Sequence, residues 1–507
     1  MHRTRGGRRI GRYLAALAGT AVIAAGLLVP ATAASAGIIS IGVAGIDLTS
    51  VLGGPGSFGW STSGATPVST TQVAKVIGAT STAATGLDGT GVGVALIDTG
   101  VVPVPGLPAA QIVNGPDLSF ESQAPDLRYL DTFGHGTHLA GIIVGNDPAT
   151  GFRGIAPGAK LTSVKVGTAQ GVVDVSQVIA ALDWVVAHRN DDPRNPIRVI
   201  NLSFGTDSAQ DRRSDPLAFA VENAWRAGIV VVVAGGTAGS GRNRLDNPAA
   251  DPYVLAVGSA GGTGTTSKDD DHVSSFDSVS TGRTIDLVAP GESIISLRDP
   301  GSNIDTTYPK ARVGTAQFKG SGSSQATAVT SGAVALLLQK RPDLRPDEVK
   351  ALLTATATPV AGNNGGWVGE LNLAAALPRV TPTRTQAVPP GTGTGALDQS
   401  RGSNRVILNA LALVGEFDIF GPFSSAQWAA GSSAGTAWAG GRWLGRQMAG
   451  DGWTGASWAS RTWASATWPA GFWGTVWTDD NWSGHYWSGD SWSGHYWSGH
   501  YWSSADW

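Results

Sequence analysis

The run Val94-Ala-Leu-Ile-Asp-Thr-Gly-Val101 reads as a buried strand that ends in a carboxylate. Across residues 91–377, further apolar runs of this kind alternate with segments of helical apolar spacing. Such alternation predicts an α/β fold, a three-layer sandwich in which helices cover both faces of a mostly parallel central sheet. We expect strands at residues 93–97, 160–166, 198–204, 229–234, 253–259 and 284–289, and helices at residues 176–188, 217–227, 324–339 and 347–355.

The composition excludes several classes of partner. The chain has 507 residues, of which 14% are charged, and its formal net charge is −3. This balance offers no positive surface for nucleic acid or for an anionic membrane. The chain contains no cysteine, so disulfides and thiolate metal sites are excluded, and stability must come from packing or bound ions. The length predicts two or three regions, one of them large.

The first 36 residues resemble an export signal. Five arginines precede an apolar stretch at residues 14–29, and two small-residue cleavage sites follow at residues 31–36. A membrane anchor is the alternative, but 16 apolar residues fall short of the roughly 20 needed to span a bilayer. The pair Arg8-Arg9 leaves twin-arginine export open. We therefore predict a signal peptide at residues 1–36, a short N-terminal segment at 37–80, no membrane span in the mature chain, and a secreted or cell-surface location.

The region after residue 378 changes composition twice. Residues 379–405 are rich in Pro, Thr and Gly and predict a linker, and residues 406–427 form a short apolar segment. Residues 428–507 carry an internal repeat in which Trp recurs mostly every five residues. The tryptophans of this repeat stand at positions 428, 438, 443, 453, 458, 463, 468, 473, 477, 482, 487, 492, 497, 502 and 507.

A period of five suits neither a helix nor a strand, because neither element would keep the rings on one face. Either each unit contains a turn, or the tail is unfolded in isolation. Fifteen exposed indoles would be costly in water, so self-stacking or a partner surface is expected, with cell-wall polysaccharide as one candidate. His485, His495 and His500 could bind a metal, but without acidic or Cys co-ligands we interpret them as polar spacers.

Three short strings carry an acid, a base and a nucleophile. They contain Asp98, His135 in Gly134-His-Gly-Thr-His-Leu-Ala-Gly141, and Ser324 in Gly320-Ser-Gly-Ser-Ser-Gln-Ala-Thr327. Amide hydrolysis near neutral pH needs a serine activated by an imidazole that a carboxylate orients. The order Asp, His, Ser is one of the known orders of such a triad. Alternatives remain within the strings, namely His138 as the base and Ser321 or Ser323 as the nucleophile.

These strings resemble those of the subtilisin-like serine peptidases, the subtilases, over about residues 80–378, which predicts a peptidase domain at 81–378. The resemblance implies that Asp98 orients, His135 shuttles the proton and Ser324 attacks the scissile carbonyl. It also implies that Asn201-Leu-Ser-Phe-Gly205 pairs with extended substrate. The expected substrate-binding residues are Ser203, Phe204, Gly205, Ala234 and Gly235, and Ala289-Pro-Gly291 resembles a recurrent turn of the family.

The chain departs from the family pattern at two positions. Gly236 stands where subtilases have the Asn whose side chain donates to the oxyanion, so the oxyanion region is expected to comprise Gly236 and Ser324. A water, a second backbone amide or Thr237 could substitute, and Asn243 or Asn247 could do so only if their loop folds back. Gln325 stands where the family usually has Met and places a polar group beside the nucleophile.

No cofactor is expected, although calcium stays an open alternative. Asp269-Asp-Asp271 suggests calcium because hard cations prefer clustered carboxylates. Three consecutive acids cannot all point the same way, so we favour a solvated loop and assign no metal ligands.

We therefore predict a secreted serine-type endopeptidase that cleaves protein or peptide substrates through an acyl-enzyme, weakened if Gly236 is not compensated. A protein of different class is the alternative, namely a catalytically impaired subtilase-fold protein that uses its Trp tail for adhesion. The retained triad favours the enzyme, and Gly236 favours the alternative.

Overall fold

The computed structural model describes residues 61, 66–107, 109–123, 127–239, 243–262, 264–362, 367–383, 386–408, 411–419 and 421–446. The predicted signal peptide, most of the segment 37–80 and the repeat beyond residue 446 lie outside the described residues.

In the described part of the chain, short and long strands alternate with helices. The strands are β1 Val68–Ser69, β2 Gly93–Asp98, β3 Ile112–Asp117, β4 Asn146–Asp147, β5 Phe152–Arg153, β6 Lys160–Lys165, β7 Ile197–Leu202, β8 Val230–Ala234, β9 Leu255–Gly261, β10 His272–Val273, β11 Leu287–Pro290, β12 Ile294–Leu297, β13 Arg312–Val313, β14 Gln317–Gly320, β15 Thr358–Ala361, β16 Trp367–Glu370, β17 Ile407–Leu408, β18 Leu411–Ala412, β19 Phe417–Asp418, β20 Gly421–Pro422, β21 Trp438–Ala439 and β22 Arg442–Trp443. The helices are α1 Thr70–Val76, α2 His135–Val144, α3 Val175–His188, α4 Pro216–Arg226, α5 Asn303–Thr307, α6 Ser323–Lys340, α7 Pro346–Thr356, α8 Leu373–Ala376, α9 Leu397–Ser400 and α10 Ser425–Ser433. Short 3₁₀ turns lie at Thr82–Ala84, Ala109–Gln111, Phe120–Gln123 and Pro309–Ala311.

The central sheet has the order β10-β15-β16-β11-β9-β8-β7-β2-β6-β3. All neighbours from β3 to β16 are parallel, whereas β15 is antiparallel to β16 and β10 is antiparallel to β9. A smaller sheet has the order β1-β12-β14-β13. Strand β2 lies between β7 and β6. Its carboxyl end is therefore inside the parallel sheet and not at an edge, at the end of the strands where open α/β folds bind ligands.

Two pairs of helices cover the sheet. Helices α2 and α6 pack together, and α6 lies along β7, β8, β9 and β11. Helices α3 and α4 form the second pair and contact β2 and β8, respectively. Local sequence fixes where α3 and α4 begin, because Asp174 and Asp215 cap their free amides.

The mostly parallel α/β architecture confirms the predicted fold class. Each predicted strand and helix is present, with ends that differ by up to three residues. The sequence analysis missed four strands of the central sheet, β3, β10, β15 and β16, and it missed the smaller sheet. In β3, Asn, Gly, Pro and Asp interrupt the apolar pattern, so the segment carries no strand signal although it is fully buried.

The structure differs from the predicted linker. Within residues 386–408, Arg401 is fully buried and its Nε donates to Asp174 Oδ2 at 2.6 Å. Thr206 Oγ1 donates to the carbonyl of Ser400 at 2.7 Å, and α9 contacts α3 and α4. Pro, Thr and Gly supply little apolar surface of their own, but here the domain provides both the surface and the hydrogen-bond partners. Composition cannot reveal that contribution.

The first three tryptophans of the repeat are buried in the domain. Trp428 lies on α10, and Trp438 and Trp443 lie on the hairpin β21–β22. Helix α10 packs on α4 and β21 packs on α3. The start of the predicted repeat therefore belongs to the folded unit. Among the described helices, none combines the length and the apolar character needed to cross a bilayer.

Candidate active site

Asp98 is the last residue of β2 and is 1% exposed. Its Oδ1 accepts from the backbone amide of Thr99 at 2.8 Å and lies 2.8 Å from His135 Nδ1. Its Oδ2 has no hydrogen-bond partner among the described residues. The same carboxylate oxygen therefore accepts from the main chain and contacts the imidazole.

His135 is the first residue of α2 and is also 1% exposed. The helix starts against the loop after β2, since a Cβ at residue 136 would lie 2.1 Å from the carbonyl oxygen of Gly100. Only glycine allows this approach. The bond to Asp98 uses Nδ1 of the ring, which leaves Nε2 on the side away from the carboxylate.

A second carboxylate, Asp131, was missed by the sequence analysis. Its Oδ1 accepts from Thr99 Oγ1 and from the amide of Gly134, both at 2.7 Å, and its Oδ2 accepts from the amide of Thr137 at 2.7 Å. Burial raises the pKa of this carboxyl. Asp131 therefore joins the loop that carries Asp98 to the start of the helix that carries His135. No sequence motif contains Asp131, so no signal in the sequence marked its role.

The structure distinguishes His135 from His138, the alternative base. Nε2 of His138 lies 3.1 Å from the carbonyl of Phe318, and the ring is fully buried. Burial lowers the pKa of His138 to about 3, so it stays neutral where peptidases work. Asp98 contacts His135 and has no bond to His138 among the described contacts.

Ser324 is the second residue of α6, a helix that packs on α2. It is half-buried, whereas Ser321 and Ser323 are buried. The hydroxyl of Ser321 accepts from the amide of Ser293 at 2.8 Å, so it has a structural partner. At the start of a helix the first amides lack intrahelical acceptors, so the Ser324 amide is available to a ligand.

The expected substrate-binding residues lie on two adjacent strand ends. Ser203, Phe204 and Gly205 follow β7, whereas Ala234 and Gly235 end β8 and begin the next loop. Ser203 Oγ lies 3.5 Å from the carbonyl of Ser324, which brings the first segment beside α6. Phe204 is only 2% exposed and packs in the core, so its ring does not form an open surface for substrate.

Among the described residues, the atoms nearest to a Cβ placed on Gly236 belong to Asp246 and Ser278, and none of them is a side-chain amide that could replace the family's Asn. Gly236 has φ +106°, and a Cβ there would lie 2.5 Å from Asp246 Oδ2 and 2.7 Å from Ser278 Oγ. The position therefore requires glycine. Asn247 Nδ2 donates instead to Asp215 Oδ1 at 2.9 Å, and Asn243 and Thr237 are exposed.

The other departure, Gln325, is buried beneath the start of α6. Its Oε1 has no partner among the described residues, and a Cβ at residue 322 would lie 2.9 Å from that oxygen. The amide thus packs under the turn that precedes the nucleophile.

Within the described residues, no group of three or more His, Cys, Asp or Glu side chains is arranged to hold a metal ion. The Asp269–Asp271 loop uses its carboxylates locally: Ser267 Oγ donates to Asp269 Oδ2 at 3.0 Å, and Thr265 Oγ1 donates to Asp270 Oδ1 at 2.8 Å. Calcium ligands are therefore not assigned.

Comparison with known proteins gives a consistent family. A model described as the subtilase family matches residues 89–385. The serine protease AprX of Bacillus subtilis (strain 168) is 40% identical over 277 residues, which are 53% of this chain and 61% of that protein. Subtilisin Savinase of Lederbergia lenta is 34% identical over 291 residues, which are 57% of this chain and 92% of that protein.

A solved structure, that of a cold adapted subtilisin-like serine proteinase, aligns with a TM-score of 0.44 and 29% identity over 57% of this chain and 90% of that chain. The family model covers more than half of the chain, and the chain covers nine-tenths of Savinase. The chain therefore belongs to the subtilase family of serine-type endopeptidases.

Proposed function

We propose that the protein is an exported serine endopeptidase in which Asp98, His135 and Ser324 form the catalytic triad. The observation that carries the proposal is the 2.8 Å contact between Asp98 Oδ1 and His135 Nδ1, in a buried setting beside the helix that bears Ser324. This contact fixes the imidazole tautomer, so that Nε2 can accept a proton.

The reaction proceeds by two acyl transfers. Nε2 of His135 takes the Ser324 proton as Oγ attacks the scissile carbonyl, and the imidazolium then gives that proton to the leaving amine. Water attacks the acyl-enzyme with the same base, which releases the carboxylic acid and restores Ser324. Asp98 stays ionised throughout and stabilises the imidazolium.

The oxyanion is stabilised here by fewer protein donors than in most subtilases. The Ser324 amide, at the positive end of α6, is the donor that the fold supplies. Gly236 cannot contribute a side chain. Loss of the corresponding Asn donor in subtilisin lowers turnover by about 10²–10³, a magnitude known for that enzyme, so we expect turnover below that of subtilases that keep the Asn.

The deciding experiment measures casein hydrolysis and fluorophosphonate labelling of the full chain, of Ser324→Ala and of the neighbouring control Ser323→Ala. Loss of both signals in Ser324→Ala alone, with Ser323→Ala retaining both, supports the triad. Triad replacement in subtilisin costs about 10⁶ in turnover. A folded wild-type chain that neither cleaves nor labels would instead favour the impaired adhesion protein, for which Gly236 is the specific observation.

Export and surface attachment are part of the proposal. The arginine-rich start and the apolar stretch at residues 14–29 favour export through a signal peptide. Since Trp428, Trp438 and Trp443 are used in packing, a surface or cell-wall polysaccharide partner would bind the later tryptophans, at residues 453–507. Co-sedimentation with purified cell walls, comparing the full chain with a chain ending at residue 446, tests this: equal sedimentation would contradict it.

A further inference from the structure

The residue before His135 lies against a short helix from a distant part of the chain. Gly134, with φ +103°, is the N-cap of α2, and a Cβ placed there would lie 2.5 Å from Ser302 Oγ and 2.7 Å from Ile304 Cγ1. Ser302 is the N-cap of α5, and Ile304 is the second residue of that helix. Helix α5 therefore packs directly on the start of the helix that carries the candidate base.

Hydrogen bonds join α5 to the same loop. The amide of Asn303 donates to the carbonyl of Thr132, and the amide of Ile304 donates to the carbonyl of Phe133, both at 3.1 Å. These are the first two amides of α5, and such amides have no acceptors within their own helix. The position of α5 thus fixes two consecutive carbonyls in the loop that leads to His135.

A buried carboxylate holds α5 in place. Asp305 Oδ1 accepts from Nε of Arg298 at 2.6 Å and from Nε of Arg312 at 2.7 Å. Its Oδ2 accepts from Nη2 of the same two arginines, at 2.9 and 3.1 Å, and from the amide of Gly301 at 2.9 Å. Burial acts to raise the pKa of Asp305, but the hydrogen bonds from the two arginines outweigh burial and lower it. The carboxylate is therefore charged and bound by two bidentate guanidiniums.

The two arginines belong to the smaller sheet, which leads to the candidate nucleophile. Arg298 follows β12 and Arg312 begins β13, and both of these strands pair with β14. Strand β14 in turn leads into α6, which carries Ser324. Through α5, Asp305 therefore links the loop before His135 to the strands beside the segment that carries Ser324.

We propose that Asp305 is a positioning residue for catalysis: with its two arginines it holds α5, and α5 holds the loop that sets the position of the His135 ring. The inference rests on the proposed function, because it concerns the alignment of the base with the nucleophile. The hydrogen bonds described for Asp305 reach none of the triad residues, so its effect is indirect. A displacement of about 1 Å at a catalytic group lowers turnover by about 10²-fold.

The test compares Asp305→Asn with a matched variant, Asp286→Asn, at a second ion cluster. Asp286 accepts from Arg283 at 2.6 and 2.9 Å and lies 3.1 Å from Lys350 Nζ, and its side chain is 9% exposed. It precedes β11, whereas Asp98 ends β2, so it lies at the other end of the parallel strands from the triad. In both variants one amide oxygen replaces two carboxylate oxygens, so urea unfolding should show that both are destabilised.

Only Asp305→Asn should lose activity. We expect its kcat on one peptide substrate to fall by about 10²-fold, with KM within about threefold, because the expected substrate-binding residues follow β7 and β8 and do not belong to α5. Arg312→Gln provides a milder variant in case Asp305→Asn does not fold, since Arg312 is exposed. It removes one of the two arginines, so its kcat should fall by about tenfold with the same unchanged KM.

Proton NMR provides a measurement that needs no turnover. The hydrogen bond from His135 Nδ1 to Asp98 should give a low-field resonance in the wild-type chain and in Asp286→Asn, and this resonance should shift or broaden in Asp305→Asn and Arg312→Gln. For an active enzyme, kcat that is retained in folded Asp305→Asn, or lost equally in Asp286→Asn, would overturn the inference. If the wild-type chain cleaves nothing, the proposed function fails, and the resonance decides the inference separately: no change in the folded variants would overturn it.

Discussion

Asp98, at the end of β2, and Asp183, on helix α3, are both buried carboxylates, yet they contact different partners. Asp98 accepts from the ring of His135 and has one oxygen without a partner among the described residues. Asp183, on α3, accepts from the indole Nε1 atoms of Trp428 and Trp443, both at 2.8 Å, and from Ser432 Oγ at 2.6 Å. Its donors are all neutral groups that do not titrate.

The difference separates a site built for proton transfer from a site built for attachment. A titratable donor lets the first carboxylate stabilise a charge that appears only during reaction. Two indoles and a hydroxyl let the second fix residues 428–443 against α3, but they carry no charge to compensate the carboxylate. Burial accordingly raises the pKa of Asp183, and the three hydrogen bonds only partly oppose that shift.

The largest expected effect concerns Asp98. Asp98→Asn should lower kcat by about 10⁴, the loss known for the equivalent change in a serine-protease triad, because the amide favours the wrong imidazole tautomer. Asp183→Asn should leave kcat unchanged. Steady-state kinetics on one peptide substrate measure both. If the two variants lost activity equally, the distinction between the two carboxylates would be wrong.

The next effect concerns attachment of the C-terminal segment. Trp428 is fully buried against Phe219 and Phe423, so Trp428→Ala should lower the free energy of unfolding by about 3–5 kcal/mol. It should also make residues 386–446 cleavable by added protease before the rest of the domain. Val414→Ala, at an exposed position, is the control. Urea unfolding and limited proteolysis provide the measurements, and unchanged protease resistance would show that the segment is held elsewhere.

A smaller effect tests how closely His135 is positioned. Gly136→Ala would force the Gly100 carbonyl away, because the new Cβ would lie 2.1 Å from its oxygen. A displacement of this size should lower kcat by about 10²-fold, mainly by moving the imidazole. Gly282→Ala, whose Cβ would have Ser280 Oγ at 3.9 Å, should have no effect. Full activity in Gly136→Ala would mean that the loop adjusts freely.

The smallest effect is a pH dependence of stability. Because the pKa of Asp183 is raised on folding, the folded state binds the proton more tightly, and stability falls as pH rises from about 4 through the folded pKa. Asp183→Asn can orient its carbonyl to both indoles and its amide to Ser432, so it should remove this dependence. Urea unfolding at several pH values measures it. If the stability of the wild-type chain did not fall relative to that of the variant as the pH rises, the predicted direction of the pH dependence would be wrong.

Sequence alone predicted the three strings that contain Asp98, His135 and Ser324, as well as six strands and four helices. These features were predictable because each depends on a short motif or on the apolar periodicity of its own segment. Sequence alone left His138 and Ser321 as alternatives; the structure distinguishes them by their hydrogen-bond partners and burial.

The prediction that residues 379–405 form a linker was wrong because it considered composition and not long-range contacts. Arg401 and Trp428 lie far along the chain from Asp174 and Asp183, and composition cannot show which distant surface a segment covers. Asp131 likewise carries no motif, yet the tertiary structure places it between the loop after Asp98 and the start of the helix that carries His135. By itself, the sequence determined six strands of the central sheet, the main helices and the candidate triad, since those depend on short-range pattern. Only tertiary structure decided which buried carboxylate meets a base and which meets an indole, because those depend on contacts between residues distant in sequence.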